Sequence, residues 1–179
     1  GGYHVLETEG GHTDFAPLDS IEDAILKRLR ADHGRVSAER VVAGPGIVGI
    51  YRTLAEIEKR DDPRIDDKTI WTMALAGSDS LALAALDRFC LSLGAVAGDL
   101  ALAQGAKGVV IAGGLGLRLK DHLARSGFAE RFAAKGRFRS MMEAIPVKLI
   151  THPQPGLFGA AVLAIELYEF NHLIHLGAT

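Results

Sequence analysis

Hydrophobic residues recur along this chain with two spacings, one typical of amphipathic helices and the other of short strands. The first helix is predicted to begin at Ser20, which would cap it, and to end at Gly34. Further helices are predicted over residues 47–57, 70–76, 79–103, 117–125, 129–134 and 141–144, and from about 157 to 174. Strands are predicted over residues 3–8, 41–43, 108–112 and 146–150. Strands that alternate with helices in this way predict an α/β fold.

The longest predicted helix carries small and apolar residues on all of its sides, so it resembles a membrane span at first sight. Its charged residues Asp87, Arg88 and Asp99 favour the buried helix of a soluble protein instead. Gly94 and Gly98 are about one turn apart, and we expect another backbone to approach the helix closely there.

Composition restricts the function classes. A chain of 179 residues with a net charge of −2 and 48% hydrophobic residues indicates one soluble domain. No basic stretch indicates nucleic-acid binding, and the N-terminus lacks the pattern of a signal peptide. Cys90 is the only cysteine, which excludes an internal disulfide and a thiolate zinc cluster. We therefore expect a cytoplasmic protein in which Cys90 is a small buried hydrophobe.

The segment from Glu9 to His12 is the first with distinctive chemistry, because only two glycines separate its carboxylate from its imidazole. A carboxylate accepts hydrogen bonds from hydroxyl groups, and an imidazole can donate as well as accept. Paired glycines also let a backbone approach a ligand closely. The segment therefore suits a polyhydroxylated ligand. The alternative is a hairpin with a Gly-Gly turn and two solvated side chains.

A second segment, Ile111–Gly116, follows a predicted strand and precedes a helix, which is a position where nucleotides often bind. Leu119 stands where a dinucleotide fingerprint needs its third glycine, and the chain has no Gly-Lys-Ser/Thr motif. A strand-to-helix turn that merely needs small residues is the alternative. A metal site is weakly indicated, since neither His12 with Asp14 nor the pair at positions 172 and 175 has further ligands at suitable spacing.

Several segments together, in their order and spacing, resemble bacterial glucokinases of the hexokinase–actin–Hsp70 superfamily. They are Glu9–Pro17, Ser37–Arg40, Ala43–Gly46, Ile111–Gly114, Lys135–Phe138 and Pro155–Leu157. The resemblance implies a ribonuclease-H-like lobe, in which helices flank a mixed sheet.

The resemblance also implies roles for individual residues. Glu9, His12 and Glu39 would bind the hydroxyls of glucose, although Glu39 read alone is a solvated charge or a partner of Arg40. Gly113 and Gly114 would lie against the adenosine of ATP, which acts with Mg²⁺ in the complete enzyme. No metal ligand, structural zinc or catalytic residue is expected within this chain.

Three motifs of the family have no counterpart here: the Asp-Gly-Gly-Thr phosphate loop, the Gly-Thr-Gly phosphate turn and the Asn-Asp pair that holds the general base. Residues 1–179 are therefore expected to be a C-terminal large lobe without its N-terminal lobe, and to be inactive alone. The complete enzyme would phosphorylate the 6-hydroxyl of glucose, at the entry to glycolysis, and could be a homodimer. The alternatives are a kinase for another hexose or amino sugar, and a non-catalytic module that binds sugar or nucleotide.

Overall fold

A computed structural model describes residues 6–61 and 64–162 of the chain. These residues belong to two compact units, which are treated separately below. The first comprises the described residues up to 109 together with residues 121–146. The second comprises residues 110–120 and the described residues from 147 onward.

Helices dominate the described residues, and two short strands among them pair with each other, so the α/β prediction is confirmed. The helices in chain order are α1 (Ser20–His33), α2 (Ala38–Val42), α3 (Gly46–Ile57), α4 (Asp67–Ala76), α5 (Ser80–Gln104), α6 (Gly113–Leu119), α7 (Phe128–Ala133) and α8 (Arg139–Glu143). The strands are β1 (Val109–Ile111) and β2 (Val147–Leu149), and short 3₁₀ turns lie at Gly10–His12, Leu123–Arg125 and Gly136–Phe138. Residues 155–162 are also helical.

The first unit is built around α5, which packs against α3, α4 and α7. Because neighbours surround it, its apolar residues are needed on several sides. Phe89 is fully buried and meets the Trp71 ring edge-to-face at 5.1 Å between ring centroids. By length and composition α5 could cross a membrane, but 56% of its apolar 18-residue stretch is buried inside the structure. Its packing is that of a core helix.

The two glycines of α5 allow α7 to approach, as the sequence predicted. A Cβ atom at Gly94 would lie 2.3 Å from the carbonyl oxygen of Phe128, and one at Gly98 would lie 2.4 Å from that of Phe132. Backbone atoms cannot yield at these distances, so any larger residue would push α7 away from α5.

A buried ionic cluster joins α1, α5 and α7 within the first unit. Glu22 is fully buried, and its carboxylate lies 3.1 Å from an Arg131 nitrogen and accepts a 3.1 Å hydrogen bond from the Ser92 hydroxyl. Asp19 lies 2.6 Å from a second Arg131 nitrogen and also contacts Arg88. Each carboxylate thus has several partners, as burial of a charge demands. We call these five residues the buried cluster.

Asp19, and not Ser20 as predicted, is the N-cap of α1, because its carboxylate accepts hydrogen bonds from the backbone N–H groups of Ile21 and Glu22. Partial burial opposes ionisation of Asp19. The backbone hydrogen bond and the neighbouring guanidinium groups outweigh that effect, and they hold the pKa of Asp19 below its ordinary value. The predicted end of α1 at Gly34 is confirmed, with φ of 69° at that residue.

The strand predicted over residues 41–43 is wrong, because that segment lies in α2 and its C-cap. Val41 is fully buried, and the Ala43 N–H donates to the Glu39 carbonyl at 2.8 Å. The chain then turns so tightly that a Cβ atom at Gly46 would lie 2.2 Å from the Val41 carbonyl oxygen. Tertiary packing therefore overrides the strand preference of two adjacent valines.

Two further predicted elements differ from the structure. Residues 6–8 have no regular structure, and the rest of the strand predicted over 3–8 lies outside the described residues. The helix predicted over 117–125 is replaced by α6, which begins and ends earlier, and by the 3₁₀ turn at Leu123–Arg125. The tail of the helix predicted from 157 to 174 also lies outside the described residues.

The second unit contains a parallel pairing of β1 with β2, in which the Ile150 N–H donates to the Ile111 carbonyl at 2.8 Å. Both predicted strands are confirmed. Helix α6 follows β1 directly, and a Cβ atom at Gly116 would lie 3.1 Å from a methyl group of Leu149 on β2. The described part of the chain therefore has a two-stranded parallel sheet, and it provides no test of a mixed one.

Candidate functional site

The Glu9–His12 segment forms a 3₁₀ turn, so the hairpin alternative is wrong. The His12 N–H donates to the Glu9 carbonyl at 2.9 Å, and the Thr13 hydroxyl donates to the Gly10 carbonyl at the same distance. Neither Gly10 nor Gly11 has a positive φ. A left-handed backbone therefore does not account for these two glycines.

Close packing accounts for the glycine at position 10 of this turn. A Cβ atom at Gly10 would lie 3.1 Å from a methyl group of Leu100 on α5, which is tighter than ordinary contact. One at Gly11 would lie 3.5 Å from the Cβ of Glu39 on α2, which is an ordinary van der Waals contact. The turn thus rests directly on the central helix, with α2 beside it.

The fold brings His12 and Glu39 together, with 3.1 Å between His12 Nε2 and a Glu39 carboxylate oxygen. The two side chains are 63% and 57% exposed, so both can still reach a ligand. An imidazole and a carboxylate side by side offer donors and acceptors to hydroxyl groups. Their role in binding stays a prediction.

Backbone hydrogen bonds between two segments distant in sequence produce this proximity. The Ala38 N–H donates to the Thr13 carbonyl at 2.8 Å, and the Phe15 N–H donates to the Val36 carbonyl at 3.0 Å. These bonds place the first turn of α2, which carries Glu39, against the 3₁₀ turn.

Glu9 lies at the start of the 3₁₀ turn and is exposed. A groove with a volume of about 720 Å³ borders His12 and Glu39, and Glu9 is not among its lining residues. The walls of the groove come from the end of α1, from α2 and from the start of α3. The structure therefore places His12 and Glu39 on one groove. Glu9 precedes this turn in the chain and does not line the groove.

Arg35 and Asp14 are also part of this region, and the contact between them was not predicted from the sequence. The Arg35 guanidinium lies 2.8 Å from the Asp14 carboxylate and donates a second hydrogen bond to the His12 carbonyl. The two residues are remote in sequence, so spacing carries no signal for this contact.

The candidate nucleotide turn lies in the second unit, between β1 and α6. Gly113 has φ of +87°, a conformation that side-chain-bearing residues rarely adopt. A Cβ atom at Gly113 or Gly114 would have no described atom within 4 Å. Packing within the described residues therefore does not require glycine at 114, and the open backbone leaves room for a flat ligand. The role of Gly113 and Gly114 in nucleotide binding stays a prediction.

No group of three or more His, Cys, Asp or Glu side chains within the described residues could hold a metal ion. The histidines at positions 172 and 175 lie outside those residues. The absence of structural zinc and of metal ligands stays a prediction.

Cys90 is fully buried on α5, as predicted. Burial raises the pKa of its thiol to about 11. A thiol that is both buried and protonated is a poor nucleophile, so we assign it no chemistry.

A family model described as glucokinase matches residues 1–167 of the chain. The glucokinase of Zymomonas mobilis subsp. mobilis is 62% identical over 169 residues, which are 94% of this chain and 52% of that relative. The glucokinase of Xanthomonas campestris pv. campestris is 45% identical over 162 residues, which are 90% of this chain and 48% of that relative. The chain thus spans about half the length of the curated relatives it matches.

Solved structures agree. A glucokinase from an Antarctic psychrotroph superposes with a TM-score of 0.80 at 37% identity, covering 88% of this chain and 49% of that one. A glucokinase from Balamuthia mandrillaris, solved in complex with glucose, has a TM-score of 0.71 at 20% identity and covers 86% of this chain and 45% of that one. The Balamuthia structure, at 20% identity, shows a shared fold alone. The family model and the more identical relatives also match this chain in sequence. With that agreement over nearly all of its length, the chain belongs to the glucokinase family.

Proposed function

We propose that residues 1–179 form the larger, C-terminal lobe of a two-lobed kinase that transfers the γ-phosphate of ATP to the 6-hydroxyl of glucose. Family membership supports the reaction, and coverage of half the length of the relatives supports the assignment to one lobe. The observation that carries the proposal is the exposed His12–Glu39 pair, which the fold assembles from two distant segments. In this proposal the lobe is ribonuclease-H-like, and β1 and β2 belong to a larger mixed sheet.

Sugar binding falls to Glu9, His12 and Glu39. The two carboxylates accept hydrogen bonds from sugar hydroxyls, and the imidazole donates or accepts according to its tautomer. A site built to satisfy particular hydroxyls discriminates against an epimer that lacks one, because a polar group then stays unpaired. The exposure of His12 and Glu39 leaves their hydrogen-bonding capacity available for this purpose.

Nucleotide binding falls to Gly113 and Gly114, whose open backbone would lie against adenosine. ATP, when bound with Mg²⁺, supplies the phosphoryl group, and the described residues of this chain provide no metal-binding cluster. A bulky residue at Gly114 in the complete protein should raise the KM for ATP while the KM for glucose stays unchanged. An unaltered KM for ATP in a stably folded variant would remove the assignment.

The remaining expectations are part of the same proposal. The protein would be cytoplasmic, as suits an enzyme at the entry to glycolysis, and it could form a homodimer. Light scattering of the complete protein tests the homodimer, and a monomer at working concentration contradicts it.

The decisive experiment replaces His12 with Asn and Glu39 with Gln, separately, in the complete protein. Loss of one partner from a polar site costs about 1–3 kcal/mol, so the KM for glucose should rise about ten- to hundredfold. The KM for ATP should change little, since neither residue lies in the nucleotide turn.

Glu143→Gln is the matched control, because Glu143 is 54% exposed and forms an ion pair with Arg139 outside the candidate site. Its kinetics should equal those of the parent protein. If His12→Asn and Glu39→Gln behave like this control, the sugar-site proposal fails. A panel of hexoses and amino sugars, measured with the parent protein, separates glucose from the other candidate substrates.

A further inference from the structure

The Arg35 guanidinium holds the sugar-binding turn at two points. Its Nε lies 2.8 Å from an Asp14 carboxylate oxygen, and its Nη2 donates to the His12 carbonyl oxygen. Asp14 in turn faces Ser37, at the N-cap of α2, through an isolated antiparallel bridge. One side chain from the segment between α1 and α2 therefore ties down the backbone at His12 and the carboxylate two residues later.

The turn needs such an attachment because of its own sequence. Gly10 and Gly11 precede His12 and give the backbone more freedom than other residues would. The position of the imidazole depends on that backbone, and small misplacements of a binding group are costly for an enzyme. Arg35 is suited to this task because its planar fork reaches two acceptors in a fixed geometry.

We propose that Arg35, oriented by Asp14, is a positioning residue for the sugar-binding turn and so helps to determine affinity for the sugar. Arg35 acts through His12 and does not touch the sugar. The inference rests on the proposed function, since it needs His12 to contact the ligand.

If Arg35 and Asp14 were only an ordinary surface ion pair, breaking it would leave sugar binding unchanged. Arg35 and Asp14 are 61% and 77% exposed, and pairs so exposed contribute little to global stability. A variant that breaks the pair should therefore fold normally. This separates positioning from folding, because only positioning predicts a change in sugar binding.

The test uses Arg35→Gln, Arg35→Lys and Asp14→Asn in the complete protein. Arg35→Gln should raise the KM for glucose about tenfold, leave the KM for ATP unchanged and leave the thermal midpoint unchanged. Arg35→Lys should recover only part of the loss, because an ammonium lacks the fork that reaches both acceptors. Asp14→Asn should have a smaller effect, since it retains an oxygen acceptor.

Arg60→Gln is the matched control, because Arg60 forms an exposed ion pair with Glu58, with 2.7 Å between the charged atoms. It should leave all three quantities unchanged. A double variant supplies the second readout: if Arg35 acts through His12, Arg35→Gln combined with His12→Asn should be no worse than His12→Asn alone.

Two failures can be told apart. If His12→Asn and Glu39→Gln leave the KM for glucose unchanged, the sugar site of the proposed function fails. If they raise it while Arg35→Gln behaves like Arg60→Gln, or adds fully to His12→Asn, only the positioning role is overturned.

Discussion

Two groups of charged side chains in the first unit show how burial decides what a charge can do. In the buried cluster, the fully buried Glu22 carboxylate is satisfied by Arg131, by Ser92 and by a 2.8 Å bond from the Leu18 N–H. In the exposed pair, His12 and Glu39 contact each other while more than half of each side chain faces solvent. The Glu22 carboxylate is out of reach of a ligand, while the side chains of the exposed pair are accessible to one. Similar residue types are thus committed to stability in one place and available for recognition in the other.

The largest test asks whether the exposed pair suffices for turnover. Residues 1–179 alone should form no glucose 6-phosphate, because the sequence has neither the phosphate loops nor the Asn-Asp pair of the family. Loss of a general base alone costs about 10²- to 10⁴-fold, and loss of phosphate positioning adds to that.

The measurement is a coupled assay of the purified chain, with a mock purification as the control for host kinase. Activity that follows the chain through every column would overturn the assignment to a single lobe. Activity restored by adding the rest of the protein would support it.

The next test compares the two groups in stability. Glu22→Ala should lower the free energy of unfolding by about 3–5 kcal/mol, because it removes one of the two carboxylates that pair with Arg131 and also the acceptor of the buried Ser92 hydroxyl. Glu39→Ala should change it by less than about 1 kcal/mol, as is usual for an exposed pair. Urea denaturation of both variants of the complete protein provides the numbers, and equal losses would remove the distinction between the groups.

The smallest expected effect is a change in how stability depends on pH in the acid range. The pKa of Asp19 is lowered in the folded state, so its contribution to stability is present above the ordinary value of 3.8 and is lost as pH falls through the lower folded value. Asp19→Asn should therefore be less stable at neutral pH and should lose less stability than the parent below pH 3.8. Urea midpoints measured across the acid range test this, and parallel pH profiles would contradict it.

Sequence patterns predicted those helices whose composition shows directly which of their sides are buried. Helix α5 was recognisable from apolar residues on all sides, and Gly94 and Gly98 marked the approach of α7. The helix α2 was missed, because it has five residues and ends in two valines whose local preference is for a strand.

The sites depended on contacts that no local pattern encodes. The proximity of His12 to Glu39 arises from backbone bonds between distant segments, and it was expected only through the family resemblance. The contact of Arg35 with Asp14 was not expected at all. Glu22 did leave a signal, since it lies on the same face of α1 as the buried Ile25 and Leu29.

Cys90 is a natural probe of how often the core of this chain opens. It is the only cysteine in the sequence, it is fully buried on α5, and its raised pKa keeps the thiolate scarce at neutral pH. A thiol reagent can therefore label the native protein only when the surroundings of α5 open transiently. The labelling rate reports how often that happens, without any engineered probe. Comparing the labelling rate with and without sugar would show whether sugar makes the core around α5 open less often.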